Sequence, residues 1–291
     1  MKRKNYLYIL SIIVAGATLF QSCEKETSNL TDDEVAIAED DALAENLFDD
    51  IFDVALAAEQ LIDGQIFNGT LKSTVVSDSC PNVTVDHPDS TFWPKVITID
   101  WGDGCTGFYE QTRSGKIIIQ VTGRYRAAGS SRTITLENYY INDIHVEGTK
   151  IVANDGENDN GNITYSIELT GGRITTPDST VITRESVRTR EWVGGSDTWW
   201  NIWDDVYFIT GQTTGTNFRG VAYSRTIVTP LEWAATCRFI KSGSIDLVVG
   251  ENDPITLDFG DGECDNEATV SRNGETKTIQ LKYRHRTWTD R

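Results

Sequence analysis

Val96-Ile97-Thr98-Ile99-Asp100-Trp101-Gly102-Asp103-Gly104-Cys105 is followed by Arg113-Ser114-Gly115, by Ile119-Gln120-Val121 and by Arg124-Tyr125-Arg126. Near the other end the order returns as Pro254-Ile255-Thr256-Leu257-Asp258-Phe259-Gly260-Asp261-Gly262-Glu263-Cys264, then Arg272-Asn273-Gly274, Ile279-Gln280-Leu281 and Arg284-His285-Arg286. A strand, an Asp-aromatic-Gly-Asp-Gly turn, a Cys, a basic residue ahead of a Gly and a second strand recur at spacings that agree within about two residues, the mark of a duplicated β-hairpin unit.

Alternation within the repeats sets the faces. Ile117, Ile119, Val121 and Tyr125 share one side, against Ile118, Gln120, Thr122, Arg124 and Arg126. In the second copy Ile279, Leu281 and Tyr283 oppose Gln280, Lys282, Arg284 and Arg286. One face is apolar and the other wet, as in an antiparallel sheet that covers a core on one side.

From Asn68 onward Val, Ile, Thr, Tyr and Trp dominate. Candidate strands are Phe92–Trp101, Lys116–Arg126, Arg132–Val146, Thr149–Asn154, Asn162–Thr170, Thr180–Trp192, Asp204–Thr210, Asn217–Val228, Ala235–Lys241, Ser244–Val249, Pro254–Phe259 and Glu275–Arg286, most of them parted by short Gly, Ser, Asn and Asp clusters. Links this short join antiparallel strands, because a parallel crossover needs a dozen residues or more. The expected fold is mainly β: a large antiparallel sheet, as meander, half-barrel or sandwich, with one N-terminal amphipathic helix packed on it. The expected divisions are a leader at 1–22, a tether at 23–30, the helix at 31–64 and the β domain at 65–291, with its duplication at about 75–146 and 232–291.

The helix is announced by Thr31-Asp32-Asp33-Glu34, which has the form of a capping box. Leu43, Leu47, Ile51, Val54, Ala58 and Leu61 then form an apolar stripe, and Asp63-Gly64 is the expected stop. Between Thr31 and Asp63 stand Asp32, Asp33, Glu34, Glu39, Asp40, Asp41, Glu45, Asp49, Asp50, Asp53, Glu59 and Asp63, without one Lys or Arg. Asp53 and Glu59 oppose the helix dipole, so packing must carry this helix. Its stripe either covers the sheet or binds a partner; an acidic polar face does not suit a membrane surface.

The chain of 291 residues carries a formal charge of −18. Without a clustered basic arm it is not built to neutralise phosphates, and no nucleic-acid partner is expected.

Four Cys remain besides Cys23, and four allow three pairings. The duplication selects Cys80 with Cys105 and Cys237 with Cys264, because equivalent units should repeat the same bridge. Zinc is a poor alternative without a close Cys-x-x-Cys pair. Asp100, Asp103, Asp258 and Asp261 sit beside flexible glycines as calcium ligands do, yet lack the register of an EF-hand, so tight hairpin turns are the plainer reading and no metal is expected.

No nucleophile elbow, zinc-protease helix, phosphate loop or dinucleotide fingerprint occurs, and His87, His145 and His285 are scattered. Neither catalysis nor a cofactor is expected. Two clusters suit binding. Trp192, Trp199, Trp200 and Trp203, beside Asp197, Asp204 and Asp205, offer flat faces for sugar rings, or else pack the end of the sheet. Arg124, Arg126, Arg284 and Arg286, with Arg184, Arg188 and Arg190, would make an anion site if the two copies converge, or else a solvated face with cross-strand carboxylates.

Lys2-Arg3-Lys4 precede an apolar run from Tyr6 to Phe20 that is too short to span a bilayer comfortably, as in a secretory signal peptide. Leu19-Phe20-Gln21-Ser22-Cys23 resembles the lipobox of bacterial lipoproteins in the looser form of Bacteroidota, with Phe20 where Leu is usual. Glu24-Lys25-Glu26 is similar to the acidic signal that exports lipoproteins of that phylum to the outer leaflet, and Asp89-Ser90-Thr91 and Asp178-Ser179-Thr180 look like its O-glycosylation acceptors. With its β repeats, the chain resembles the large Bacteroidota outer-membrane lipoproteins to which no activity is assigned. The resemblance implies acylation of Cys23, anchoring of a soluble body through those acyl chains, and a cell-surface address. The expected function is a non-enzymatic binding lipoprotein for a glycan or envelope component. A lipid or hydrophobic-ligand carrier and a structural envelope protein are the alternatives, and no particular protein partner is indicated.

Overall fold

A computed structural model describes residues 30–67, 75–77, 80–87, 92–106, 111–198, 201, 203–237 and 239–281. Helix α1 spans Asp32–Phe67. The strands are β1 (Val75–Ser77), β2 (Asn82–Asp86), β3 (Lys95–Asp100), β4 (Cys105–Thr106), β5 (Thr112–Val121), β6 (Ser131–Ile141), β7 (Ile144–Glu157), β8 (Ile163–Thr175), β9 (Val181–Gly194), β10 (Val206–Thr216), β11 (Ala222–Ala234), β12 (Ser242–Val249), β13 (Ile255–Asp261), β14 (Glu267–Arg272) and β15 (Glu275–Gln280). They form one antiparallel meander in chain order, with β4 beside β5 off the main path. The expected mainly-β class with a single packed helix is what the chain adopts. The signal segment, the lipobox with Cys23, and Asp89-Ser90-Thr91 lie outside the described residues, and no described helix is long and apolar enough to cross a membrane.

The Thr31 box forms as written. The Thr31 hydroxyl accepts from the Glu34 amide at 3.3 Å, and the Glu34 carboxylate accepts from the Thr31 amide at 3.0 Å. At the other end the helix runs past the expected stop at Gly64 to Phe67. An interior Gly costs about 1 kcal/mol, and Lys95 holds the Asp63 carboxylate one residue before it.

Alternation in the strands comes out as read: Ile117, Ile119 and Val121 are buried, whereas Gln120 and Thr122 face water. Some expected strands change: Thr149–Asn154 is part of the longer β7, and β1, β2 and β14 have no counterpart among the expected strands. Arg132–Val146 is split at Asn142-Asp143, whose φ values of 48° and 65° make the tight turn between β6 and β7. Ala235–Lys241 forms no strand among its described residues, which instead link β11 to β12.

A row of β-bulges bends the sheet. Register shifts fall in β5 at Gly115, in β6 before Tyr139, in β7 at Gly148 and in β8 before Gly172, so neighbouring strands kink together. A Cβ on Gly115, where φ is +78°, would lie 2.0 Å from the Asn138 carbonyl oxygen, so this close crossing admits only glycine.

The bent sheet wraps α1. Phe48, Ile51, Phe52, Ala55 and Ile62 pack on Ile97, Ile117, Ile134, Tyr139, Val146, Tyr165 and Trp192. The N-terminal half places Ile37 and Ala38 on Tyr223, Leu247, Ile255, Leu257 and Val270. Each such large side chain, fully buried, contributes about 1.5–3 kcal/mol. The buried face is therefore wider than the expected stripe, and Leu61, one of that stripe, is exposed. Dimensions agree: a helix of 36 residues is roughly 54 Å long, and the eleven steps from β3 to β15 span about 53 Å.

The repeats occupy the two flanks of this sheet. In both, the Asp carboxylate accepts from the amide two residues on at 2.8 Å, Asp100 from Gly102 and Asp258 from Gly260. Cys80 is joined to Cys105 and Cys237 to Cys264, as the duplication predicted. The first turn is not a hairpin, however. Residues 101–104 form a kink between β3 and β4, which both pair with β5. The copies diverge after their shared Arg: Ile119 lies in β5 beside β3, whereas Ile279 lies in β15, separated from β13 by β14.

Candidate functional site

Nine Lys and Arg side chains are buried among the described residues: Lys95, Arg113, Arg132, Lys150, Arg184, Arg188, Arg190, Arg225 and Arg272. All lie on the inward side of the sheet, where uncompensated charge is expensive. Carboxylates of α1 meet eight of them, roughly in the order of the strands, with β5 reached before β6. Glu34 binds Arg272 on β14, Asp41 binds Arg184 and Arg225, Glu45 binds Arg184 and Arg188, Asp49 binds Lys150, Asp50 binds Arg113, Glu59 binds Arg132 and Asp63 binds Lys95. Arg113 and Arg272, the matching Arg residues of the two repeats, thus both hold the helix.

Charge is least balanced at the middle of this ladder. Arg184 Nη1 donates to Asp41 Oδ1 at 2.6 Å, Arg225 Nε stands 3.1 Å from Asp41 Oδ2, and Arg225 Nη1 is 3.5 Å from Glu45. Three guanidiniums face these two carboxylates, while Lys150 engages Asp49 at 3.1 Å. Burial pushes the Glu45 carboxyl up, but Arg188 and Arg184 outweigh it and hold it well below the usual carboxylate range. Burial lowers Arg225 and Lys150 from their ordinary values, with Asp41 and Asp49 respectively countering in part. Beside this cluster, between α1 and β10–β13, lies a cavity of about 60 Å³.

On the outer side, the bulges of β6–β8 open a groove of about 630 Å³ lined by Thr135, Glu137, Asn138, His145, Glu147, Thr149 and Thr170. The Tyr140 ring, 39% exposed, stacks on His145 with centroids 4.5 Å apart. Arg173 Nε and His145 Nδ1 lie 3.4 and 3.7 Å from Glu147 Oε2. Hydroxyls, an amide, carboxylates and an exposed ring therefore share one open surface.

The residues singled out from sequence separate. Trp192 is in the core, with Tyr207 stacked at 5.3 Å and the Arg126 guanidinium 4.2 Å over its ring, so it has no free face for a sugar. Trp203 is exposed, and Trp199 and Trp200 lie outside the described residues. The basic zone does not assemble. Arg124 is exposed, Arg126 donates to the Ser196 carbonyl, Arg184 and Arg188 face the helix, Arg190 packs on Phe52 and Tyr207, and Arg284 and Arg286 lie outside the described residues. Asp100 pairs with Lys116 and caps Gly102, and Asp258 caps Gly260. Among the described residues no group of three His, Cys, Asp or Glu is placed to share a metal ion. The inward Arg row was readable as alternating Arg184, Arg188 and Arg190; the acidic helix as its counterpart was the missed signal. No protein-family model, curated protein or solved structure matches the chain.

Proposed function

We propose that this chain is a non-enzymatic binding lipoprotein, anchored in the outer membrane by acyl chains on Cys23 and presenting the outer face of its sheet to a glycan at the cell surface. The observation that carries the ligand class is the groove at Tyr140 and His145. The groove's Thr135, Asn138, Thr149 and Thr170, with the exposed Tyr140 ring stacked on its His145, supply the hydroxyl-matching polar groups and an adjoining ring that a sugar requires. The site moves away from Trp192, whose faces are covered. A carrier for whole lipids is less well supported, because α1 and its ion pairs occupy the space beneath the sheet.

The test is a glycan array probed with the mature chain and with Tyr140→Ala/His145→Ala, melting curves serving as the folding control. Binding by the parent and its loss in a folded variant is the expected result. Failure of the parent to bind any glycan would remove the reading, and binding retained by the variant would move the site elsewhere. Anchoring is tested separately by palmitate labelling, expected in the parent and absent from Cys23→Ser.

A further inference from the structure

The cavity between α1 and β10–β13 is bounded on one side by Arg188 and Arg225 with Asp41, Glu45 and Asp49, and on the other by Ile209, Leu231, Ile245, Leu257 and Phe259. On the polar wall several guanidinium donors make no hydrogen bond. Arg225, 4% exposed, makes no hydrogen bond through Nε or Nη1, although carboxylate oxygens stand 3.1 and 3.5 Å away. Arg188, 8% exposed, leaves its Nε without a partner. Burial lowers Arg225 from its ordinary value, with Asp41 and Glu45 opposing and Arg188 and Arg184 adding to the fall. Buried donors without acceptors are costly, and a surplus guanidinium favours a carboxylate or other anion.

We propose that this cavity is a binding site for a small aliphatic carboxylate, its carboxylate received by the Arg225 and Arg188 N–H groups and its hydrocarbon set against Leu231, Ile245 and Leu257. The apolar wall distinguishes this occupant from an inorganic anion, which would leave that wall unused. The volume of about 60 Å³ is several times what one water needs yet too small for a long acyl chain, so the hydrocarbon is only a few carbons long. Ala42 and Asn46, both half-buried, line the helix side. The site is independent of the glycan groove, which lies on the opposite face of the sheet.

The experiment is calorimetric titration of the mature chain at fixed ionic strength with acetate, butanoate, hexanoate and inorganic phosphate, repeated with Arg225→Met and Ala42→Leu. Ala42→Leu keeps every charge and fills the cavity from the helix, so it tests the site even if Arg225→Met does not fold. Affinity is expected to rise at least tenfold from acetate to butanoate or hexanoate, to be negligible for phosphate, and to fall at least tenfold in each folded variant. Phosphate binding as tightly as hexanoate would overturn the proposal, as would no carboxylate binding at millimolar concentration, or hexanoate affinity unchanged in Ala42→Leu.

Discussion

Glu59→Gln tests whether α1 is seated by its charges. Glu59 and Arg132 are each 3% exposed in their side chains, and they meet through two bonds, Arg132 Nε to Oε2 at 2.9 Å and Nη2 to Oε1 at 2.7 Å. Two more Arg132 N–H groups donate to Ser130 and the Gly123 carbonyl, and its Cζ lies 4.9 Å from the Tyr125 ring centroid, so the guanidinium cannot turn to water without disturbing all three. An amide at 59 keeps one acceptor, presents a donor to a donor, and leaves a buried cation uncompensated. Breaking such a pair from one side costs about 3–5 kcal/mol, against about 0–1 kcal/mol for an exposed pair. The assay is urea unfolding followed by circular dichroism. Asp32→Asn serves as the control, since Asp32 pairs with Lys277 at the solvent-exposed end and its removal should not shift the midpoint. The double variant Glu59→Met/Arg132→Met, with no charge left unpaired, should recover most of the loss. A loss under about 1 kcal/mol in Glu59→Gln would refute the idea that the pair is sealed from water.

Acid should release the same helix. The folded carboxyls of Glu34 and Glu45 lie below their ordinary value of 4.5, so their contribution is complete above that pH and is lost as pH falls through the depressed folded values. Urea midpoints should hold from neutrality to about pH 5 and fall progressively below it; a curve that rises on acidification would contradict the pairing. Gly115→Ala should destabilise by more than about 1 kcal/mol, because it combines a left-handed backbone with the Asn138 carbonyl 2.0 Å from the new carbon, and unfolding midpoints would register it. Peptide mapping without reduction should recover Cys80 with Cys105 and Cys237 with Cys264. Loops closed over separations of 25 and 27 residues each contribute on the order of 3 kcal/mol, which reductant should remove.

Local signals carried most of the fold. The Thr31 capping box and the alternation of Ile117, Ile119 and Val121 act over a few residues and form as read, whereas the first Asp-aromatic-Gly-Asp-Gly stretch keeps its Asp cap but makes a kink instead of the expected hairpin. The turn at Asn142-Asp143 was hidden because Ile141 and Ile144 continue a β-rich run around it, while the register of a tight turn depends on two backbone angles rather than on hydrophobicity. The ladder was hidden for a different reason. Acids at 34, 41, 45, 50 and 59 read as a wet helix face, and Arg at 184 and 188 as a solvated strand face, since burial of either depends on the other lying opposite. The groove at Tyr140 was equally invisible, because it is made by bulges in three strands rather than by a motif.

Hydrogen–deuterium exchange of the mature chain at neutral pH, resolved to peptides of α1, tests most directly whether the acidic helix is the clasped centre of the molecule. If it is, amides of residues 44–62 should exchange as slowly as those of β5–β9, within the same global unfolding limit. Exchange of that segment in seconds, while the strands remain protected, would mean that the sheet stands without its helix and that the buried ladder does not hold it.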